Sequence, residues 1–187
     1  MTASTPDAAK LLGYLTFVEF AEHGIVGGYL LVNQQARPVE FHCSAPLRPN
    51  RAQEILYGPT LRPYLYNEQI GQTLVRQSPH AAQVILTDEE LALGLRELLD
   101  VPVVLLPDTG NSDLETQAER PTAAGVPFHV DGLPYHVDGL RLKTLAGFDS
   151  DQPLVAARLR QLASGWDFRE PLGRIREAIQ EAQRAAA

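Results

Sequence analysis

Cysteine is almost absent from this chain, which has one among its 187 residues, Cys43. A single thiol cannot form an internal disulfide, and this favours a reducing compartment. Long apolar runs are missing too, because no segment approaches the roughly 20 residues that span a bilayer. Residues 1–10 also lack the basic start and apolar stretch of a signal peptide. We therefore expect a cytoplasmic protein with no membrane segment.

Basic residues are outnumbered, with 16 lysines and arginines against 23 acids and a net charge of −7. A field of this sign repels phosphate backbones at long range, which disfavours broad nucleic-acid binding. It leaves room for a small local basic patch. Apolar residues make up 44% of the chain, enough to build a buried core.

The first third of the chain has the side-chain alternation of β-strands. Residues 11–20, 25–33 and 39–45 are rich in aromatic and β-branched side chains and are separated by short turns. The first segment is apolar on both alternating sets, which is typical of a strand covered on both faces of its sheet. Short turns between consecutive strands predict an antiparallel three-strand meander. Gly27-Gly28, inside the second strand, predicts a bulge or close backbone packing.

The periodicity changes near residue 50. Asn50 and Gln53 have the spacing of a capping box, and two short helices are predicted from there to about residue 77. An apolar strand at 82–86, a helix with a leucine stripe and an apolar strand at 101–106 follow. This order predicts a βαβ unit whose two strands run parallel.

The C-terminal part is organised differently. Residues 108–125 are polar and predict a loop or linker. Residues 126–187 contain an Asp-Gly hairpin signal and two helices, which we expect to pack on the main domain. The predicted organisation is thus a disordered stretch at 1–10, a mixed α/β domain at 11–107, the linker, and the C-terminal hairpin and helices.

Three antiparallel strands followed by helix, strand, helix and strand is an order that resembles the ribonuclease H-like superfamily, over roughly residues 11–107. The resemblance implies a mixed sheet and, in the nucleases, two Mg²⁺ or Mn²⁺ ions held by carboxylates ~4 Å apart. Such nucleases place one acid on the first strand and another at the end of the fourth. Glu19 and Asp88 match these positions, and Glu40 or Glu54 would be a third ligand.

The chain departs from the family pattern in two respects. Its first-strand acid is a glutamate where the family normally has aspartate, and the C-terminal acid has no counterpart unless Asp108 or Asp113 serves. Asp88 also has a structural explanation, which we prefer. Thr87 and Glu90 predict a capping box at a helix start, where acids complement the helix dipole.

A duplicated His-Val-Asp-Gly-Leu segment offers four side chains of metal-binding type: His129, Asp131, His136 and Asp138. Imidazole and carboxylate can bind zinc or non-haem iron. Both aspartates stand where turns favour aspartate, so we predict a structural hairpin. Cys43 cannot pair with His42, because neighbours in a strand point to opposite faces. We expect it in the core with Val39 and Phe41.

Arginines and tyrosines gather where the first helices meet, and we treat four as candidate ligand-binding residues: Arg51, Tyr57, Arg62 and Tyr64. Arginine beside aromatic rings can stack a base or bind a phosphate group.

Our leading hypothesis is a non-catalytic binding or assembly module with a protein partner, because every candidate catalytic cluster has a structural explanation. One alternative is a ribonuclease H-like, Mg- or Mn-dependent nuclease or hydrolase that uses Glu19, Asp88 and Glu40. A second alternative is a small-molecule sensor with its pocket near Tyr57 and Arg62.

Overall fold

Seven strands form one mixed sheet in the computed structural model, which describes residues 11–107, 125–131, 140–162 and 167–186. The strand order across the sheet is β3-β2-β1-β4-β5-β7-β6. The predicted disorder at 1–10 and nearly all of the predicted linker lie outside the described residues. The strands are β1 Leu12–Phe20, β2 Gly24–Val32, β3 Pro38–Cys43, β4 Val84–Thr87, β5 Val103–Leu105, β6 Gly125–Val130 and β7 Leu140–Leu145.

Strand pairing confirms the predicted mixed α/β sheet. β1 pairs antiparallel with β2, and β2 with β3, which makes the meander. β4 lies parallel to both β1 and β5, as a βαβ crossover requires. β7 then pairs antiparallel with β5, and β6 with β7, so the C-terminal strands extend the same sheet.

Helices cover both faces of this sheet. A continuous helical segment, α2, spans residues 61–77 and changes from α-helix to π-helix and back. A 3₁₀-helix joins β4 to β5. The helical bounds are α1 Arg51–Tyr57, α2 with its π-helical part Leu65–Gly71, the 3₁₀-helix Glu90–Glu97, α3 Asp151–Leu162 and α4 Glu170–Ala186.

One predicted cap is present and the other is not. The Asn50 side chain accepts from the Gln53 amide and the Gln53 side chain from the Asn50 amide, both at 2.9 Å, which confirms the capping box. The box predicted from Thr87 and Glu90 is wrong. Glu89 caps the 3₁₀-helix instead, since its carboxylate accepts from the next-but-one backbone amide at 3.2 Å.

The sheet carries a hydrophobic core on each face. We call the side that packs against α3 and α4 the α4 face, and the other side, which packs against α2 and the 3₁₀-helix, the α2 face. Successive side chains of β1 alternate between them, with Tyr14 in the α4-face core and Leu15 in the α2-face core. Every residue position on a central strand can therefore be assigned to a face by parity.

Gly27 and Gly28 permit close packing on the two faces, which is one of the two roles expected for them. A Cβ on Gly27 would lie 2.2 Å from Cγ2 of Ile70 in α2. A Cβ on Gly28 would lie 2.4 Å from Cγ2 of Ile175 in α4. The missing side chains thus let both helices approach the backbone of β2.

The expected burial of Cys43 is wrong. Phe41 and Cys43 do share one side of β3, but Val39 and Phe41 are 44% and 41% exposed and Cys43 is exposed as well. β3 is the edge strand of the sheet, next to β2, and these side chains stay exposed there. Within the described part of the chain, every helix is too short or too polar to cross a bilayer.

Candidate functional site

Asp88 lies directly after β4, at the carboxyl end of the parallel pair of β1 and β4. Leu15 and Thr87 are the last paired residues, so the next residues along the two strands are Thr16 and Asp88. The Thr16 side chain has the parity of Tyr14 and therefore projects to the α4 face. Its buried hydroxyl donates to Oδ1 of Asp88 at 2.7 Å.

The second oxygen of Asp88 is paired with Arg176 from α4. Leu172, Ile175 and Ile179 anchor α4 in the core, and this holds Arg176 over the end of β4. Both carboxylate oxygens of Asp88 are therefore engaged by donors of this chain. The structural explanation of Asp88 as a helix cap is wrong.

A small cleft opens beside this ion pair. Its volume is about 210 Å³, and its lining consists of Asp88, Leu106, Arg169, Leu172 and Arg176. The Arg169 guanidinium donates to the carbonyl of Pro107, just beyond β5. The described lining thus contributes one carboxylate and two guanidinium groups, which makes it locally basic in a chain of net charge −7.

Glu19 lies on the other face of the sheet. It has the parity of Leu15, and its carboxylate accepts from the Tyr66 hydroxyl of α2 at 2.5 Å and pairs with Arg62. The hydrogen bond from Tyr66, and then the Arg62 guanidinium, lower the pKa of Glu19 below its ordinary value. Because Asp88 belongs to the α4 face, the predicted convergence of these two acids does not occur.

Glu40 is also remote from Asp88. It sits on β3 opposite Leu31, which packs in the α2-face core. Its carboxylate accepts from the Ser78 hydroxyl at 2.5 Å and lies 2.7 Å from His42, and these contacts lower its pKa, the Ser78 hydrogen bond most. Glu54 pairs with its helix neighbour, three residues earlier, at 2.9 Å.

No group of three histidine, cysteine or acidic side chains in the described ranges is placed to hold a metal ion. Asp108 and Asp113 lie outside the described residues, as do His136 and Asp138. His129 and Asp131 are 3.3 Å apart at the exposed end of β6.

The four candidate ligand-binding residues do not share one pocket. Tyr57 stacks on Tyr64, with ring centroids 4.5 Å apart and planes at 27°. Arg62 instead lies over Tyr66, 5.6 Å from its ring centroid, and pairs with the β1 acid. Arg51 is bound to a carboxylate of α1. The sensor pocket expected near Tyr57 and Arg62 is thus divided between two separate clusters.

No family model and no curated protein matches this chain. A crystal structure of human endonuclease V does match, with a TM-score of 0.53 and 14% identity over 96% of this chain and 87% of that one. This likeness shows a shared fold, and the matching protein belongs to a ribonuclease H-like nuclease family. The likeness spans nearly the whole chain, so it includes the C-terminal strands and helices.

Two further solved structures are similar at lower scores. The catalytic domain of human endonuclease V has a TM-score of 0.46 and 16% identity, over 95% of this chain and 87% of that one. An endonuclease V variant from Ciona intestinalis, bound to a 23-mer DNA with an inosine followed by a ribo-adenosine, has a TM-score of 0.41. Its identity is 12%, over 89% of this chain and 87% of that one.

These comparisons correct two predictions. The hypothesis of a non-catalytic binding or assembly module is contradicted, because the matching fold is that of a nuclease. The expectation of a protein partner is contradicted on the same ground, because the one match with a TM-score above 0.5 is the structure of a nuclease. Net charge averages over the chain and does not describe the local charge of the cleft at Asp88.

The described residues at Asp88 do not fit the two-metal centre that the fold family implies. Such a centre needs several hard oxygen ligands that converge. Here one carboxylate is present, its strand neighbour is the hydroxyl of Thr16, and a guanidinium pairs with the remaining oxygen. The donor set therefore suits a phosphate oxyanion better than a pair of divalent cations.

Proposed function

We propose that this protein acts on nucleic acid as a phosphodiester hydrolase, with the cleft at Asp88 as its centre. One observation carries the proposal: Asp88 stands at the carboxyl end of β4 on a ribonuclease H-like sheet, beside Arg176 and Arg169. Ligands of open α/β sheets gather beyond the carboxyl ends of the strands. A cytoplasmic location, expected from the single cysteine, belongs to the same proposal.

The two arginines supply phosphate recognition in this proposal. A guanidinium presents paired N–H donors that match two oxygens of a phosphate group. Arg176 is 45% exposed, so it can turn toward a bound strand while its aliphatic part stays on α4. Arg169 reaches the same cleft from the start of α4. Guanidinium donors at the cleft would stabilise the charge that develops on the phosphoryl oxygens during hydrolysis.

Asp88 is the proton acceptor in this proposal. A water molecule attacks phosphorus, its proton passes to the Asp88 carboxylate, and the P–O bond to the leaving oxygen breaks. That oxygen leaves as an alcohol after it takes a proton back. Thr16 fixes the acid through its 2.7 Å hydrogen bond, so the carboxylate keeps one orientation. A guanidinium does not lower the pKa of water as a metal does, so we expect slow turnover.

The test is a single-turnover cleavage assay with protein in excess over end-labelled strands. The strands are single-stranded DNA, duplex DNA, single-stranded RNA, and DNA with an inosine followed by a ribo-adenosine. The variants are Asp88→Asn and, as matched control, Glu54→Gln, which changes an acid of α1 outside the cleft. Each protein is first checked for a native circular-dichroism spectrum.

We expect the wild type and Glu54→Gln to shorten at least one strand at equal rates. Asp88→Asn should be slower by about a hundredfold or more, because general bases contribute ~10²–10⁴. Equal rates for wild type and Asp88→Asn would refute Asp88 as the centre. If the wild type leaves every strand intact, the proposed hydrolysis itself is refuted.

A further inference from the structure

The metal-binding position of the fold family is altered on its first strand. The resemblance to ribonuclease H-like nucleases implies acids on the first and fourth strands, close enough to share ions. In this structure the first-strand residue that faces Asp88 is Thr16, an uncharged hydroxyl. The nearest acid on that strand, Glu19, is turned to the α2 face and bound there by Tyr66.

Asp88, the acid after the fourth strand, already forms an ion pair with an arginine. Arg176 pairs with Oδ2 of Asp88, while Thr16 takes Oδ1. A divalent ion at this carboxylate would have to displace the guanidinium and would then be repelled by it at close range. Arg169 adds a second positive charge to the same cleft. Among the residues that the structure describes, both the number of ligands and the local charge thus oppose a cation.

We infer that Arg176 replaces the metal ion at Asp88, so that this site binds the phosphate of a strand without a divalent cation. The guanidinium neutralises the carboxylate and also lines the cleft where the phosphate would bind. The part of the inference that concerns the strand rests on the proposed function. The part that concerns the cation does not, because it follows from Thr16 and Arg176 alone.

Calorimetric titration with MnCl₂ tests the cation directly on the full chain. The proteins are the wild type, the control Arg184→Ala, which removes an exposed arginine of α4, and the double variant Thr16→Asp/Arg176→Ala. We expect no Mn²⁺ binding to the wild type or the control up to about 1 mM. The double variant should bind Mn²⁺ with a Kd at least about tenfold below that limit. Wild-type binding below about 1 mM that Asp88→Asn abolishes would overturn the inference.

A thermal melt shows whether the double variant folds. Thr16→Asp places a second carboxylate at a fully buried position, so the double variant should melt at a higher temperature with Mn²⁺ than without it. If the double variant is unfolded in both conditions, the wild-type titration and its Asp88→Asn comparison still decide the question.

Fluorescence anisotropy of a labelled single-stranded DNA tests the phosphate. The wild type should bind with the same Kd in EDTA and in Mg²⁺, and Arg176→Ala should bind about tenfold more weakly while Arg184→Ala does not change. Binding that requires Mg²⁺ would overturn the inference. A wild type that binds no strand, and also no Mn²⁺, refutes the proposed function and leaves the cation result standing.

Discussion

Gly28→Ala is the sharpest test of how the fold positions Arg176. The added Cβ would lie 2.4 Å from Cγ2 of Ile175 and 3.0 Å from Cδ1 of Ile179. Carbon atoms prefer separations of about 3.5–4.0 Å, so the first contact is short by roughly 1 Å. Isoleucine is β-branched and stiff at χ1, and Cγ2 cannot swing away. Helix α4 must therefore move off the sheet, and Arg176 moves with it.

The expected cost follows from two opposing effects. Overpacking a core by one methyl group costs about 1–3 kcal/mol. Replacing glycine with alanine in a strand stabilises the folded state by roughly 0.5–1 kcal/mol, because it lowers the conformational entropy of the unfolded chain. We expect a net loss of about 1–2 kcal/mol in the free energy of unfolding. The Mn²⁺-free binding of a DNA strand should weaken in parallel, since α4 carries Arg176 and the residue just before this helix is Arg169, the other arginine of the cleft.

Urea denaturation followed by circular dichroism measures this loss as a lower midpoint at unchanged m-value. The matched control is Gly173→Ala. Gly173 lies in α4 itself, and a Cβ added there meets nothing within 4 Å. We expect that control to be stabilised by about 0.5 kcal/mol. In the Ile175→Ala background the cost of Gly28→Ala should nearly vanish. A variant as stable as the wild type, or an equal cost in both backgrounds, would refute the reasoning.

Two further predictions concern ion pairs away from the cleft. Arg96→Ala should destabilise the protein by about 3 kcal/mol in urea, because it leaves Asp151, whose side chain is 8% exposed, without its guanidinium. Arg51→Ala, at an exposed pair, should change stability by less than about 0.5 kcal/mol, and equal costs would contradict the argument. The lowered pKa of Glu19 means that its stabilisation is present above the ordinary value of 4.5 and is lost as pH falls through the lower folded value. Tyr66→Phe should therefore reduce the loss of unfolding free energy between pH 4.5 and lower pH. An unchanged loss would contradict the role of Tyr66 in lowering the pKa of Glu19.

Periodicity predicted the first part of the fold well. The meander and the parallel pair of 82–86 with 101–106 follow from local patterns, because strand alternation and short turns are encoded within a few residues. The position of β7 beside β5 was not predictable in this way. β7 pairs with β5, the last strand of the parallel pair, and a local sequence pattern does not reveal which strand a distant segment will join. The pairing of residues 140–145 is therefore visible only in the structure.

The neighbours of Asp88 could not be predicted from the sequence. Its place after the fourth strand singled Asp88 out as a candidate, but Glu19 was expected beside it where the structure has Thr16. β1 is buried on both faces, so its hydrophobic pattern does not reveal which parity faces α4. Only the register of β1 with β4 identifies Thr16. Arg176 lies 88 residues along the chain from its partner, and no local signal marked it.

The proposed binding of a nucleic-acid strand predicts a salt dependence that can be measured. With a net charge of −7, association is not steered at long range, so affinity must come from short-range contacts in the cleft. Two guanidinium groups, Arg169 and Arg176, line that cleft. If each neutralises one phosphate, the logarithm of the association constant for single-stranded DNA should fall against the logarithm of salt with a slope of about −1.4. Arg176→Ala should bring the slope to about −0.7, because one phosphate contact remains. A wild-type slope several times steeper would mean that a wider basic surface, and not this cleft, holds the strand.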